Sequence, residues 1–151
     1  MTTKEYIKER INYYKQMVPE EKYKKAGLYT ITVNGEVVYI GKSTDMQNRI
    51  ANHLYHICDD DLRTPGDKAK YGELRRARFL GYNIIFNVLY YSIVEEPGQE
   101  QDDDIGKKEA IYINQYMPKL NRQVPSLDNY HSYKNKPYEP LNIQERGLII
   151  K

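Results

Sequence analysis

Residues 27–53 read GLYTITVNGEVVYIGKSTDMQNRIANH, and this stretch decides the fold. Residues 28–33 and 37–40 are rich in β-branched and aromatic side chains, with Asn34-Gly35 between them. An Asn-Gly pair supplies the two positive φ angles of a type I′ turn, so a β-hairpin is expected. Period-two alternation puts Tyr29, Ile31 and Val33 on one face of the first strand and Leu28, Thr30 and Thr32 on the other. After Gly41-Lys42, Ser43 or Thr44 is placed to cap a helix that runs to about His56. At about 100° per residue, Met46, Ile50, Leu54 and Ile57 share the buried arc of that helix. Arg49 and His53 stand one turn apart on its shoulder, where side chains reach a cleft.

On the N-terminal side, Tyr6, Ile7, Ile11, Tyr14 and Val18 recur at spacings of three and four, which predicts an amphipathic helix over 3–18 that ends near Pro19. On the C-terminal side, the acidic loop 59–67 turns at Pro65-Gly66, and a second helix is expected over 68–80. Its apolar face would hold Leu74 and Ala77, with Tyr71 and Phe79 as further candidates, and Gly81 would stop it. Residues 82–94, YNIIFNVLYYSIV, form the most strand-like run and should lie beside the hairpin. A polar loop is expected over 95–103, then a third helix over 104–117. On that helix Ile105, Tyr112, Ile113 and Tyr116 make an apolar stripe, and Glu109 falls inside it. A carboxylate on a core-facing stripe is costly unless paired, neutral or metal-bound. The pattern leaves a buried salt bridge and a metal ligand equally open.

The chain has 151 residues, enough for one domain with a modest core. Hydrophobic residues make up 40% and charged residues 29%, the balance of a folded chain rather than a disordered one. Cys58 is the single cysteine, so no internal disulfide calls for an oxidising compartment. No apolar run approaches the roughly 18 residues of a membrane span. The start, MTTKEYIKER, lacks the apolar core of a signal peptide, and a cytoplasmic protein with no membrane partner is expected. A net charge of +2 says little about partners. The basic residues are nevertheless clustered: Lys68, Lys70, Arg75, Arg76 and Arg78 face only Asp67 and Glu73 in the same segment. Such a run serves either as a solvated helix face or as a phosphate-gripping surface.

Three catalytic arrangements are missing: a Cys/His set at zinc-site spacing, a nucleophile elbow, and a Gly-x4-Gly-Lys-Ser/Thr phosphate loop. Gly41-Lys42-Ser43 matches the end of such a loop, but Glu36 stands where its first glycine is needed. What remains is a combination in a fixed order. Gly27-Leu28-Tyr29 is followed by Tyr39-Ile40-Gly41, by Arg49 and His53, and much later by Glu109 and Pro118-Lys119-Leu120-Asn121. In this the chain resembles the GIY-YIG nuclease superfamily over residues 25–121, with leucine replacing isoleucine in the first tripeptide and the second intact.

The resemblance implies an α/β (α+β) fold, a small and mainly antiparallel three-stranded sheet flanked by helices. Residues 1–24 would be an N-terminal helical extension, 25–121 the nuclease core, and 122–151 a tail that packs on the core or contacts DNA. It implies a divalent-metal-dependent endonuclease that uses Mg²⁺, with Mn²⁺ as a substitute. Tyr29 and Tyr39 would project into the cleft, and Gly41 would let the backbone turn into the helix. Arg49 would donate to the scissile phosphate, where a rigid guanidinium fork suits the task. His53 would bond the Tyr29 hydroxyl or the attacking water, with Tyr29 assisted by His53 as the preferred general base. Glu109 would hold the cation, and Asn121 would orient the glutamate or the backbone around it.

Lys42, Lys68, Lys70, Arg75, Arg76 and Arg78 are the candidate nucleic-acid contacts. Duplex DNA is the expected partner, with an RNA nuclease and a non-catalytic nucleic-acid-binding module as the alternatives. With neither a DNA-reading domain nor a repair extension in view, a stand-alone enzyme is expected, restriction-like or from a mobile or phage-borne element. A homodimer on DNA would supply the second active site that double-strand cutting requires.

Overall fold

The computed structural model describes residues 2–59, 65–121 and 148–150, the side chains of 65–68 and 148–150 excepted. Its elements in chain order are α1 (Thr3–Lys15), α2 (Glu20–Tyr23), β1 (Gly27–Val33), β2 (Glu36–Ser43), α3 (Met46–Cys58), α4 (Pro65–Phe79), β3 (Ile84–Tyr91), α5 (Gln99–Tyr116) and β4 (Leu148–Ile150). Asn34 and Gly35 take φ values of 50° and 84°, as a type I′ turn requires, and close the β1–β2 hairpin. The sheet order is β2-β1-β3-β4, and every neighbouring pair is antiparallel. The three expected strands therefore lie side by side with β1 in the middle, and β4 adds a short edge strand beyond β3.

Helices cover both faces of this sheet. Tyr29, Ile31, Ile84 and Phe86 pack against Tyr14 of α1, Ile50 and Leu54 of α3, and Tyr71 and Leu74 of α4. Leu28 and Ile40 pack on the opposite side against Ile105, Tyr112 and Ile113 of α5. The alternation read from β1 thus holds, since a strand buried on both faces must divide its side chains between two cores. Strand β2 departs from strict alternation. Its register with β1 jumps from Tyr39, opposite Ile31, to Val37, opposite Thr32, which makes Val38 an extra residue. This bulge lets Val38 and Tyr39 lean on the same face as Tyr29, while Ile40 turns to the other.

Several sequence expectations are corrected. α1 ends at Lys15 rather than near 18, and tighter turns follow it, with the Met17 and Val18 amides donating to the Tyr14 and Lys15 carbonyls. The cap of α3 is Asp45, not Ser43 or Thr44: its carboxylate accepts from the Asn48 amide at 3.2 Å, while the Ser43 hydroxyl accepts from the Asp45 amide. The segment 95–103 is not all loop, since α5 begins at Gln99, and Gln101 is buried with Nε2 donating to the Val94 carbonyl at 2.8 Å. Tyr71, Leu74 and Ala77 are buried, but Phe79 lies about 200° around the helix from Ala77 and is 90% exposed. Gly81 does end that helix, with φ 77°. Among the described residues no helix is long and apolar enough to cross a membrane.

Candidate active site

The motif residues meet where β1, β2, α3 and α4 pack together. Tyr29 comes from the middle of the sheet and Tyr39 from the bulged strand beside it, with ring centroids 6.3 Å apart. His53 enters from α3 and stands 5.4 Å from the Tyr29 ring and 5.6 Å from the Tyr39 ring. Its Nε2 is 2.5 Å from the Tyr29 hydroxyl, and its Nδ1 is 2.8 Å from the Tyr71 hydroxyl. Tyr29 and His53 are both fully buried, so neither projects into an open cleft as the sequence reading expects; Tyr39 and Arg49 are only half-buried. The stripe that carries Ile50 and Leu54 into the core carries His53 with it, because Ile50 and His53 are three residues apart.

Both tripeptide glycines are there for space. A side chain on Gly41 would meet the Tyr29 hydroxyl at 2.3 Å, since Gly41 lies directly across from Tyr29 in the ladder. Gly41 is thus a strand residue that makes room for a ring, rather than a turn into the helix. A side chain on Gly27 would strike the Tyr90 carbonyl oxygen at 2.1 Å, next to the register shift between β1 and β3. Among the described residues Asn121 bonds the backbone of β2 rather than the Glu109 carboxylate. Its Oδ1 accepts from the Ile40 amide at 2.9 Å and its Nδ2 donates to the Ile40 carbonyl at 2.8 Å. With Leu120 donating its amide to the Val38 carbonyl at 2.9 Å, the turn after α5 pins the outer edge of β2 on both sides of Tyr39.

The electrostatics follow from burial. Burial pushes the Tyr29 hydroxyl well above the usual tyrosine range, and the nearby Arg49 guanidinium pulls the other way by charge and hydrogen bonding. Tyr39 is also raised by burial, and Arg49 again opposes the shift. His53 is pushed well below 6.5, first by burial and then by the charges of Arg49 and Lys70, and so it is neutral. Glu109 lies on α5, one side of its carboxylate 3.9 Å from Lys42 Nζ, with 16% of its side chain exposed. Burial raises its pKa above the usual carboxylate range, and Lys42 only partly offsets this.

A desolvated carboxylate with one distant, half-exposed cationic neighbour suits a hard divalent cation. Among the described residues no three His, Cys, Asp or Glu side chains gather as a ready cage. Glu109 would therefore be the protein's anchor for such an ion, with water and substrate oxygens filling the remaining positions.

The candidate contacts divide. Lys42 stands beside Glu109, and Lys70 Nζ lies 4.8 Å from the Tyr39 ring centroid, so both border the site. Arg75 is committed elsewhere: its Nε donates to the His56 carbonyl at 3.0 Å, closing the end of α3. Arg76 and Arg78 are exposed on the outer part of α4. The Lys68 side chain, the loop residues 60–64 and the tail 122–147 lie outside the described residues. Sequence reasoning gave Tyr71 only a packing role. The signal was a hydroxyl-bearing ring on a buried helical face, which needs a partner.

No family model matches the chain, and no curated protein matches it. Among solved structures it is similar to the GIY-YIG N-terminal endonuclease domain of UvrC from Thermotoga maritima, seen as point mutants bound to a catalytic divalent cation. The identity is 20%, the match covers 82% of this chain and 100% of that one, and the TM-scores are 0.41 and 0.42.

Proposed function

We propose that this chain is a divalent-metal-dependent endonuclease of the GIY-YIG type that hydrolyses phosphodiester bonds in duplex DNA. One observation carries the reading: Tyr29, Tyr39 and His53 form one ring cluster in which the Tyr29 hydroxyl is bonded to His53 Nε2, and the charge of Arg49 acts on both tyrosine hydroxyls. An ordinary packed core has no use for a half-buried guanidinium beside a buried and a half-buried phenol. A phosphodiester bound beside them does, since Arg49 would donate to its oxygens and stabilise the charge that builds as water attacks.

In this reading Tyr39 is the tyrosine that meets water, because it is half-buried where Tyr29 is enclosed. It takes a proton from the attacking water and passes its own inward. Tyr29 and the neutral His53 behind it receive that proton along the bond from Tyr29 Oη to His53 Nε2. In this reading the general base is Tyr39 backed by Tyr29 and His53, in place of Tyr29 assisted by His53, and the enclosure of Tyr29 is what supports it. Glu109 would hold the cation, which supplies charge neutralisation at the phosphate and at the leaving oxygen. Lys42 and Lys70 would steady the flanking backbone.

The test is cleavage of duplex DNA, single-stranded DNA and RNA with Mg²⁺, with Mn²⁺ and with EDTA. Mg²⁺-dependent cutting of duplex DNA that is lost in Arg49→Ala and Glu109→Ala is expected. Cutting by a folded Glu109→Ala protein at the wild-type rate would remove the metal assignment. Binding without cutting would leave the scaffold as a non-catalytic module.

A further inference from the structure

We propose that Tyr71 is a positioning residue of this site: its hydroxyl accepts from His53 Nδ1–H and so leaves Nε2 open to the Tyr29 hydroxyl. Its catalytic meaning rests on the nuclease reading above, while the hydrogen bond itself does not.

The geometry is a three-member chain across three elements. Tyr29 Oη is 2.5 Å from His53 Nε2, and Tyr71 Oη is 2.8 Å from His53 Nδ1. Tyr29 and His53 have no solvent exposure and Tyr71 has 2%, so water does not stand in for any of these bonds. A neutral imidazole has one donor and one acceptor nitrogen, and the partner of one fixes the role of the other. If Nδ1 carries the proton, Tyr71 accepts it and Tyr29 donates to Nε2. If Nε2 carries it, both directions reverse and Tyr29 has no acceptor behind it.

Arg49 reinforces the first arrangement. Its positive charge acts on the Tyr29 hydroxyl, and a nearby cation makes that hydroxyl the better donor. The groups that face His53 are Tyr29 of β1, Tyr39 of β2, Phe86 of β3, Arg49 and His56 of α3, and Lys70 and Tyr71 of α4. Arg49, Lys70 and His56 all disfavour a charged imidazole, which keeps the choice one between neutral tautomers. The Tyr71 ring is itself held: His56 stacks on it at 4.7 Å with a 21° interplanar angle, and Lys70 Nζ lies 4.6 Å from its centroid. Its hydroxyl therefore presents to Nδ1 from a fixed direction.

The experiment is long-range ¹H–¹⁵N NMR of the histidine rings at neutral pH, in the wild type, Tyr71→Phe and Tyr29→Phe, alongside single-turnover cleavage. The chain has three histidines, and His56→Gln and His131→Gln identify the remaining signal as His53. The wild type should show Nδ1–H at His53, and Tyr29→Phe should keep it. Tyr71→Phe, which retains the ring, should convert it to a mixture with Nε2–H and lower kcat by about ten- to a hundred-fold with KM unchanged. An Nε2–H pattern in the wild type, or an unchanged pattern in a folded Tyr71→Phe protein, overturns the proposal. Should Tyr71→Phe not fold, the wild-type and Tyr29→Phe patterns still decide: loss of Nδ1–H in Tyr29→Phe would make Tyr29 the orienting group. If the wild type cuts no nucleic acid, the nuclease reading fails, while the tautomer pattern still tests Tyr71.

Discussion

Gly41 has no latitude for a side chain, because a Cβ there falls 2.3 Å from the hydroxyl of a fully buried Tyr29 that cannot move aside. Gly41→Ala should cost about 1–3 kcal/mol, as small-to-large changes in packed sites do, and should abolish cleavage. Urea unfolding and a plasmid assay measure the two effects. Glu109 makes the opposite trade. Its folded-state value is raised above 4.5, so the native state holds more protons than the unfolded one above that pH, and stability is lost as pH rises. Glu109→Gln should therefore unfold at a higher temperature than the wild type at pH 7 while losing activity; an unchanged or lower melting temperature would contradict this. His53 acts at the acid end. Its value is lowered below 6.5, so the unfolded state binds more protons below 6.5 and stability falls as the solution is acidified. Unfolding free energies compared at pH 5 and pH 7.5 should differ less in His53→Gln than in the wild type.

At the scale of elements, strand β2 does most to shape the site. Its bulge at Val38 turns Tyr39 toward Tyr29, and its free edge is closed by Leu120 and Asn121 instead of by another strand. Asn121→Ala would leave the Ile40 amide and carbonyl without their partners, at a cost of about 1–3 kcal/mol. It would also loosen the backbone on either side of Tyr39, so kcat should fall with little change in metal affinity. An Asn121→Ala protein as stable as the wild type by urea titration would show that water replaces the amide. Helix α3 was legible almost residue by residue, because Met46, Ile50, Leu54 and Ile57 are apolar at helical spacing and all buried. Its cap was misread because Ser43, Thr44 and Asp45 are all good capping residues, and the choice among them depends on where β2 releases the chain.

At the scale of the molecule, the sheet separates two layers of helices. The layer of α1, α3 and α4 holds the tyrosine–histidine cluster, and the layer of α5 holds Glu109. The site therefore lies at the edge where both layers reach β2. If nucleic acid binds along that edge, Lys70→Ala should reduce the salt slope of binding by about one unit. Arg75→Ala should leave that slope unchanged and instead lower the melting temperature, because Arg75 bonds the His56 carbonyl. Fluorescence anisotropy with a labelled duplex between low and physiological salt, paired with thermal unfolding, distinguishes the roles of Lys70 and Arg75.

The sequence by itself determined the hairpin, its turn, the two faces of β1 and the order of the site residues. Each of these follows from local rules: positive φ at Asn34-Gly35, period-two alternation, and helical spacing. Only the tertiary structure decided what the residues touch. It enclosed His53 and Tyr29, gave Asn121 to the backbone of Ile40, spent Arg75 on a helix end, and brought Tyr71 to the second nitrogen of His53. The reason is distance along the chain. Partners 81 residues apart, such as Ile40 and Asn121, or on separate helices, such as His53 and Tyr71, leave no periodic trace in sequence, and their pairing exists only once the layers have packed.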